Sequence, residues 1–224
     1  MMNIAIDGPS GAGKSTLSRM LAKKLGYLYI DTGALYRAVG LYAVRKGVAG
    51  KDTAYARAVE TLLPEIRLDL RHTQAGQRVL LNGEDVSEAV REPEISRAAS
   101  RVSAIPAVRA FLLEQQRELA RRHDVVMDGR DIGTVVLPDA QLKIFLTASP
   151  EDRARRRTAE MRQKGMPADY NQVLTDMIAR DRRDRERAIA PLRPAPDAVS
   201  LDTTGLEIDE SFARLCRIAG SVIK

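Results

Sequence analysis

Three observations predict an α/β fold in which a parallel sheet carries helices on both faces. Short apolar runs over 3–7, 27–31, 124–128, 142–147 and 198–202 read as strands, and stretches of helical periodicity separate them. Such alternation implies parallel strands joined by right-handed crossovers. The first run leads at once into Gly8-Pro9-Ser10-Gly11-Ala12-Gly13-Lys14-Ser15 and then the polar first turn of a helix, the context in which a glycine-rich loop cradles an anion. No internal repeat or low-complexity tail breaks the pattern, so the insertions hang from one core.

In chain order, the helix over 15–25 sets Leu17, Met20, Leu21 and Leu25 at helical spacing and stops at Gly26. The second strand closes on Asp31-Thr32-Gly33, and helix resumes over 34–46. Asp52 is an N-cap for a helix to about residue 63, ahead of Pro64. Between 65 and 85 the pattern changes. Residues 66–70 and 78–82 alternate or run apolar around Gly76, and Asn82-Gly83 is a tight-turn signal, so a small antiparallel meander is inserted there. Residues 94–122 are helical, with Pro106 opening a second helix. Charged helices follow over 153–165 and 171–187, Pro191, Pro194 and Pro196 mark an extended connector, and 208–222 is a closing amphipathic helix.

The chain has 36 basic and 30 acidic residues, a formal charge of +6, and only eight of the basic residues are lysine. Arginine's rigid fork suits bidentate contact with phosphate or carboxylate, although a G+C-rich gene gives the same bias. The charge alone also suits a nucleic-acid binder. Against that class, aromatics are 4% of the chain, tryptophan is absent and no basic patch is interleaved with stacking residues. No apolar run approaches the ~18 residues of a membrane span, and the N-terminus opens on strand and loop rather than a leader. Cys216 is the sole cysteine, at an apolar position of the last helix, and a reducing cytoplasm is the expected setting. With no apolar heptad in view, a monomer is expected.

The loop chemistry is specific. Glycines allow backbone conformations that let Gly8, Pro9, Ser10, Gly11, Ala12, Gly13, Lys14, Ser15 and Thr16 wrap a triphosphate, with Lys14 on the β/γ-phosphates and the Ser15 hydroxyl on Mg²⁺. No N-K-x-D for guanine is present, and the run ending Met127-Asp128 continues with glycine rather than glutamate. A GTPase and a motor ATPase therefore drop out, leaving a small kinase that must hold a second substrate.

Two late helices suit that task. Arg153, Arg156 and Arg157 share one face of the first, and Arg180, Arg183, Asp184 and Arg187 share one face of the second. Arginines on a closing lid would surround the oxygens of a transferring phosphoryl group and keep water out. Asp128, Arg130 and Asp131 follow a strand C-terminus, where ligands sit on open α/β sheets, and form either a salt-bridged turn or a substrate clamp. Arg37 is an anion-ligand candidate after the second strand, while Tyr36 is a packing residue. The two histidines, His72 and His123, lie outside every motif and are expected on the surface.

Together, Gly-Pro-Ser-Gly-Ala-Gly-Lys-Ser, Asp-Thr-Gly-Ala-Leu-Tyr-Arg, Asp-Gly-Arg-Asp-Ile-Gly-Thr-Val-Val and Arg-Asp-Arg-Arg-Asp-Arg-Glu-Arg-Ala-Ile-Ala-Pro-Leu resemble the bacterial cytidylate kinases, over essentially the whole chain. The resemblance implies a P-loop NTPase-type domain over 1–224: a core of about 1–31, 106–150 and 188–224, a monophosphate-binding region of about 32–105 carrying the antiparallel insertion, and a lid of about 151–187. It implies transfer of the γ-phosphoryl group of ATP to CMP or dCMP, with Mg²⁺. Arg37, Arg130 and Arg187 then look like ligands of the CMP phosphate, and Ser100, Arg109 and Asp131 like readers of the cytosine edge. Arg180 and Asp184 look like ribose contacts, and Arg153 and Arg157 like lid arginines near the transferred group. Thr32 stands where the family commonly has serine and keeps the hydroxyl; Ser15 stands where some members have glycine. The runner-up is a P-loop kinase for another small acceptor, such as shikimate or a different nucleotide.

Overall fold

Strand β1 (Asn3–Asp7) is buried on both faces, with Ile4, Ala5 and Ile6 fully excluded from water, and a strand of that kind belongs at the centre of a covered parallel sheet. The computed structural model describes residues 1–50, 52–73 and 76–222. It places β1 third in a five-stranded sheet of order β2-β6-β1-β7-β8, with β2 Leu28–Asp31, β6 Val125–Gly129, β7 Leu142–Thr147 and β8 Val199–Asp202. β1 runs parallel to β6 and β7, and β7 parallel to β8. The β1–β6 register sets Asp7 opposite Gly129, so the glycine loop and the Gly129-Arg130-Asp131 turn leave the sheet side by side at one end.

The chain divides into two compact units, Met1–Tyr29 with Ala120–Lys224, and Ile30–Leu119. The first holds most of the parallel sheet, helices α1 (Lys14–Leu25), α6 (Pro150–Gln163), α7 (Tyr170–Glu186) and α8 (Ile208–Gly220). Leu17 and Leu21 of α1, Leu215 of α8 and Ile4, Ile6, Val126, Ile144 and Leu201 of the strands form its core. Cys216 is half-buried against that core. The second unit holds α2 (Thr32–Arg45), α3 (Thr53–Leu62), α4 (Pro93–Val102) and most of α5 (Pro106–Arg122). It also carries the inserted antiparallel sheet of β3 (Leu68–Thr73), β4 (Gly76–Leu81) and β5 (Glu84–Asp85), in the order β3-β4-β5. Its own core gathers Leu35, Val39, Val59, Leu81, Ile95, Val102 and Leu112. No helix among the described residues is long and apolar enough to cross a membrane.

The element ends follow local chemistry. Asp31, Asp52, Ser149 and Asp169 each cap a helix by accepting a backbone N–H in its first turn. The Ser149 cap, with Pro150 at the first helical position, starts α6 three residues earlier than periodicity alone places it. Asn82 and Gly83 both have positive φ (52° and 86°), which is how a two-residue loop matches the twist of β4 and β5. One element has no signature in the periodicity: a π-helical turn over Ile132–Val136, in which the Asp131 carbonyl accepts from the amides of Val135 and Val136. His123 is exposed as expected; the side chain of His72 lies outside the described residues.

Helices α2 and α4 approach closely at Gly40, where an added Cβ would stand 3.0 Å from the Ala99 amide nitrogen and 3.1 Å from the Ala98 Cβ. Backbone cannot retreat as a flexible side chain can. Gly40→Ala is therefore expected to destabilise the fold by about 1–3 kcal/mol, read as a lower urea midpoint at unchanged slope.

Candidate active site

The glycine loop is shaped by what lies against it. At Gly8 a Cβ would overlap the Leu146 carbonyl oxygen of β7, so the strand packs where only glycine fits. Gly13, at φ 91°, hands the chain into α1, whose free N-terminal amides favour an anion. Lys14 follows, 5% exposed, and its ammonium donates to the Pro9 carbonyl at 2.7 Å, curling over the loop. The Ser15 hydroxyl donates to Asp128 Oδ2 at 2.8 Å, and the Tyr29 hydroxyl donates to Asp128 Oδ1 at 3.1 Å. Asp128 ends an apolar strand, so its carboxylate is delivered into the site by β6 rather than by a loop.

Buried charges perturb one another here. Burial and then the Arg130 guanidinium lower the Lys14 ammonium to a pKa of about 7, against the pull of Asp128 and Asp7 in the other direction. Asp7, also buried, is raised to about 6 by the loss of water, although the amides of Gly133 and Ile132 donate to it and hold it down. Those bonds are short, 2.7 Å to Ile132 and 2.8 Å to Gly133.

The Gly129-Arg130-Asp131 turn meets α7. Arg130 Nε donates to Asp184 at 2.9 Å, and an Arg187 guanidinium nitrogen donates to Asp131 at 3.1 Å. Burial would raise the Asp184 carboxyl, but Arg130, Arg180 and Arg187 outweigh it and hold it below the usual range. Lys14, Arg130, Asp131, Arg180, Asp184 and Arg187 are thus brought together, because the charge of Arg180 is felt at both Lys14 and Asp184.

The three α6 arginines that spacing sets on one face separate. Arg153, 1% exposed, turns inward and donates to the carbonyls of Ala148 and Ser10, both at 2.9 Å, and to Asp181 at 2.6 Å. It ties the glycine loop to α7. Arg156 reaches the Thr203 carbonyl at 2.6 Å and pairs with Asp152. Arg157 pairs with Glu160 at 2.8 Å near the surface. On α7 the buried stripe is Met177, Asp181 and Asp184, while Arg183 turns to solvent, away from the face assigned to it by spacing.

The remaining candidates lie in the second unit. Thr32 is buried at the start of α2. Arg37 donates to Asp31 at 2.7 Å, and its Nε is buried with no protein partner, leaving part of the fork for an anion. Gly33 makes room for it, since a Cβ there would stand 3.0 Å from an Arg37 nitrogen. Arg109 is buried, donates to the Ser103 carbonyl at 3.3 Å and lies 5.7 Å from the ring centre of Tyr36, which packs against the core. Ser100 is half-buried on α4.

Spacing singles out neither Asp7 nor Asp181, and it does not set Asp128 beside Ser15 and Tyr29. Their one signal was a carboxylate at the edge of an apolar stripe, which a folded protein tolerates only with a partner. Among the described residues no cluster of three or more His, Cys, Asp or Glu side chains could hold a metal by itself. The paired oxygens of Ser15 and Asp128 are of the hard type that suits Mg²⁺, an ion usually shared with substrate phosphates.

Comparison with known proteins shows the family. The family model described as cytidylate kinase matches residues 4–220. A cytidylate kinase of Caldicellulosiruptor bescii is 48% identical over 223 residues, covering 100% of this chain and 97% of that protein. One from Carboxydothermus hydrogenoformans is 48% identical over 98% of this chain and 97% of its own length. Another, from Pelotomaculum thermopropionicum, is 52% identical over 93% of this chain and 91% of its own length.

The state of Lys14 has a measurable consequence. Between about pH 7 and its ordinary 10.5 the unfolded chain holds a proton that the native lysine has lost, so this group makes stability rise with pH over that window. A polyphosphate favours the charged form. At pH 8, where the nucleotide is already ionised, its binding is expected to take up close to one proton. Calorimetry in buffers of different ionisation enthalpy measures this, and Lys14→Met should abolish it.

Proposed function

The chain belongs to the cytidylate kinase family and transfers the γ-phosphoryl group of ATP to CMP or dCMP, and we propose the following division of that reaction among its residues. The full-length similarity at about half identity carries the reading. For the donor, residues 8–16 wrap the ATP phosphates, with Lys14 leaving the Pro9 carbonyl for the β/γ-oxygens. Ser15 and Asp128 hold Mg²⁺, which when bound neutralises charge on the phosphates.

For the acceptor, Arg37, Arg130 and Arg187 bind the CMP phosphate. The buried Nε of Arg37 without a protein partner supports this. Asp131, Ser100 and Arg109 read the cytosine edge, Arg180 and Asp184 hold the ribose, and Thr32 adds a hydroxyl. A carboxylate facing the cytosine amino group attracts a donor there and repels the carbonyl of uracil. Arg157 serves the transferred group from a lid of about 151–187. Arg153 acts beside it by holding the Ser10 carbonyl, as its three hydrogen bonds indicate. The nucleophile is a phosphate oxygen ionised at neutral pH, so no general base is needed, and catalysis is positioning plus charge stabilisation. We place the enzyme in the cytoplasm as a monomer, a setting that suits its single thiol, Cys216.

A coupled ADP-release assay with CMP, dCMP, UMP, AMP and shikimate tests the reading: turnover with CMP and dCMP is expected, and silence with both would sink it. Lys14→Ala should lower kcat by about 10²-fold or more while the thermal transition stays cooperative. Asp131→Ala should lower kcat/KM for CMP by about 10- to 100-fold and for UMP by much less, on the scale of a lost charged hydrogen bond. Equal losses would make Asp131 structural.

A further inference from the structure

Asp7 sits at the end of β1, immediately before the glycine loop, and its carboxylate is engaged by backbone outside that loop. It is 3% exposed. Both oxygens are spent on consecutive backbone amides of another segment, Oδ1 on Ile132 at 2.7 Å and Oδ2 on Gly133 at 2.8 Å. Those two residues open the π-helical turn directly after Asp131. An ionised acceptor on two adjacent N–H groups is a strong, geometrically demanding contact, since a shift of either amide breaks one bond.

The segment so held is the one whose side chains face α7. Asp131 has a backbone at φ −148° and ψ 28°, outside helix and strand, and its carbonyl accepts from Val135 and Val136. Its side chain meets Arg187, and the neighbouring Arg130 meets Asp184. A second contact closes the clamp from behind: Gly133 lies against the Lys143 stem, where a Cβ would stand 3.2 Å from Cγ and Cδ, and 3.5 Å from Asp7 Oδ2. Lys143 is itself held by Asp197 at 2.7 Å. The turn is thus trapped between the β1 carboxylate and a tethered β7 lysine.

We propose that Asp7 is a positioning residue for the acceptor nucleotide: by clamping the amides of Ile132 and Gly133 it fixes where Asp131 and Arg130 present their side chains, and so sets both CMP affinity and discrimination against UMP. The strand that feeds the ATP loop thereby also carries the register of the acceptor turn. This rests on the acceptor roles assigned above to Arg130 and Asp131.

The test is steady-state kinetics of Asp7→Asn, a near-isosteric change that keeps one acceptor oxygen and sets an NH₂ against the other amide. The expected result is a KM for CMP raised about 10- to 100-fold and a CMP/UMP selectivity reduced by a similar factor; because Asp7→Asn also removes a charge that Lys14 feels, the ATP constant is read in Gly133→Ala, where it should stay within about twofold of wild type. Gly133→Ala, which crowds the same clamp through Lys143, should shift the same parameters in the same direction and covers the case in which Asp7→Asn does not fold. Parallel rises in the ATP and CMP constants of Gly133→Ala, or unchanged CMP/UMP selectivity in whichever variant folds, overturn the proposal. Failure of the underlying reading is distinguishable, because it shows as wild-type CMP selectivity in Asp131→Ala.

Discussion

The rest of the site depends on keeping the Lys14 ammonium where water hardly reaches. Burial makes a cation costly and at the same time makes every charge near it count, since Coulomb energies grow as the surrounding dielectric falls. The sequence answers with carboxylates on the neighbouring strands, Asp7 on β1 and Asp128 on β6, rather than with one ion-pair partner. Neither is free to collapse onto the lysine. Asp7 is engaged by two amides, and Asp128 by Ser15 and Tyr29. Lys14 is left donating to a neutral carbonyl, that of Pro9, a bond that can be given up without breaking a salt bridge.

The same logic extends along α7. Its buried stripe carries Asp181 and Asp184 where a packing helix would ordinarily carry leucines, and each meets an arginine, Arg153 and Arg130. Buried ion pairs contribute little net stability compared with apolar packing, because desolvation offsets the attraction, but removing one partner alone costs about 3–5 kcal/mol. A helix attached in this way is held firmly yet through groups that can change partners. An anion could compete with Asp184 for Arg130 on electrostatic terms, whereas it has no means to compete with a leucine contact. Arg153 differs: with all its bonds directed inward, to Ala148, Ser10 and Asp181, it is a tie between loop and helix.

Much of this was legible in the chain itself. Caps and stops at Gly26, Asp52 and Asn82-Gly83 mark their element ends through backbone conformations and hydrogen bonds that need only a few neighbouring residues. The meander and the break at Pro106 are local in the same sense. Periodicity places the start of α6 at 153, because the Ser149-Pro150 cap that begins it at Pro150 adds no apolar repeat. The separation of Arg153, Arg156 and Arg157 has a different reason: Arg153 and Arg156 reach partners far along the sequence, Ser10 and Thr203, while Arg157 stays on its own helix with Glu160, three residues on.

By itself the sequence determined the strand–loop–helix unit around Lys14, the alternation that makes a parallel sheet, and the residue types set aside for phosphates, because each follows from spacing and backbone preference within a short window. Tertiary structure alone decided which carboxylate meets which cation. Asp7 bonds amides 125 and 126 positions away, Ser15 bonds Asp128 across 113, and Arg130 bonds Asp184 across 54. A hydrogen bond acts over about 3 Å and carries no record of sequence distance. Only the register of β1 against β6 and the seating of α7 bring those groups within reach of one another, and that turns a phosphate-binding loop into half of a kinase site.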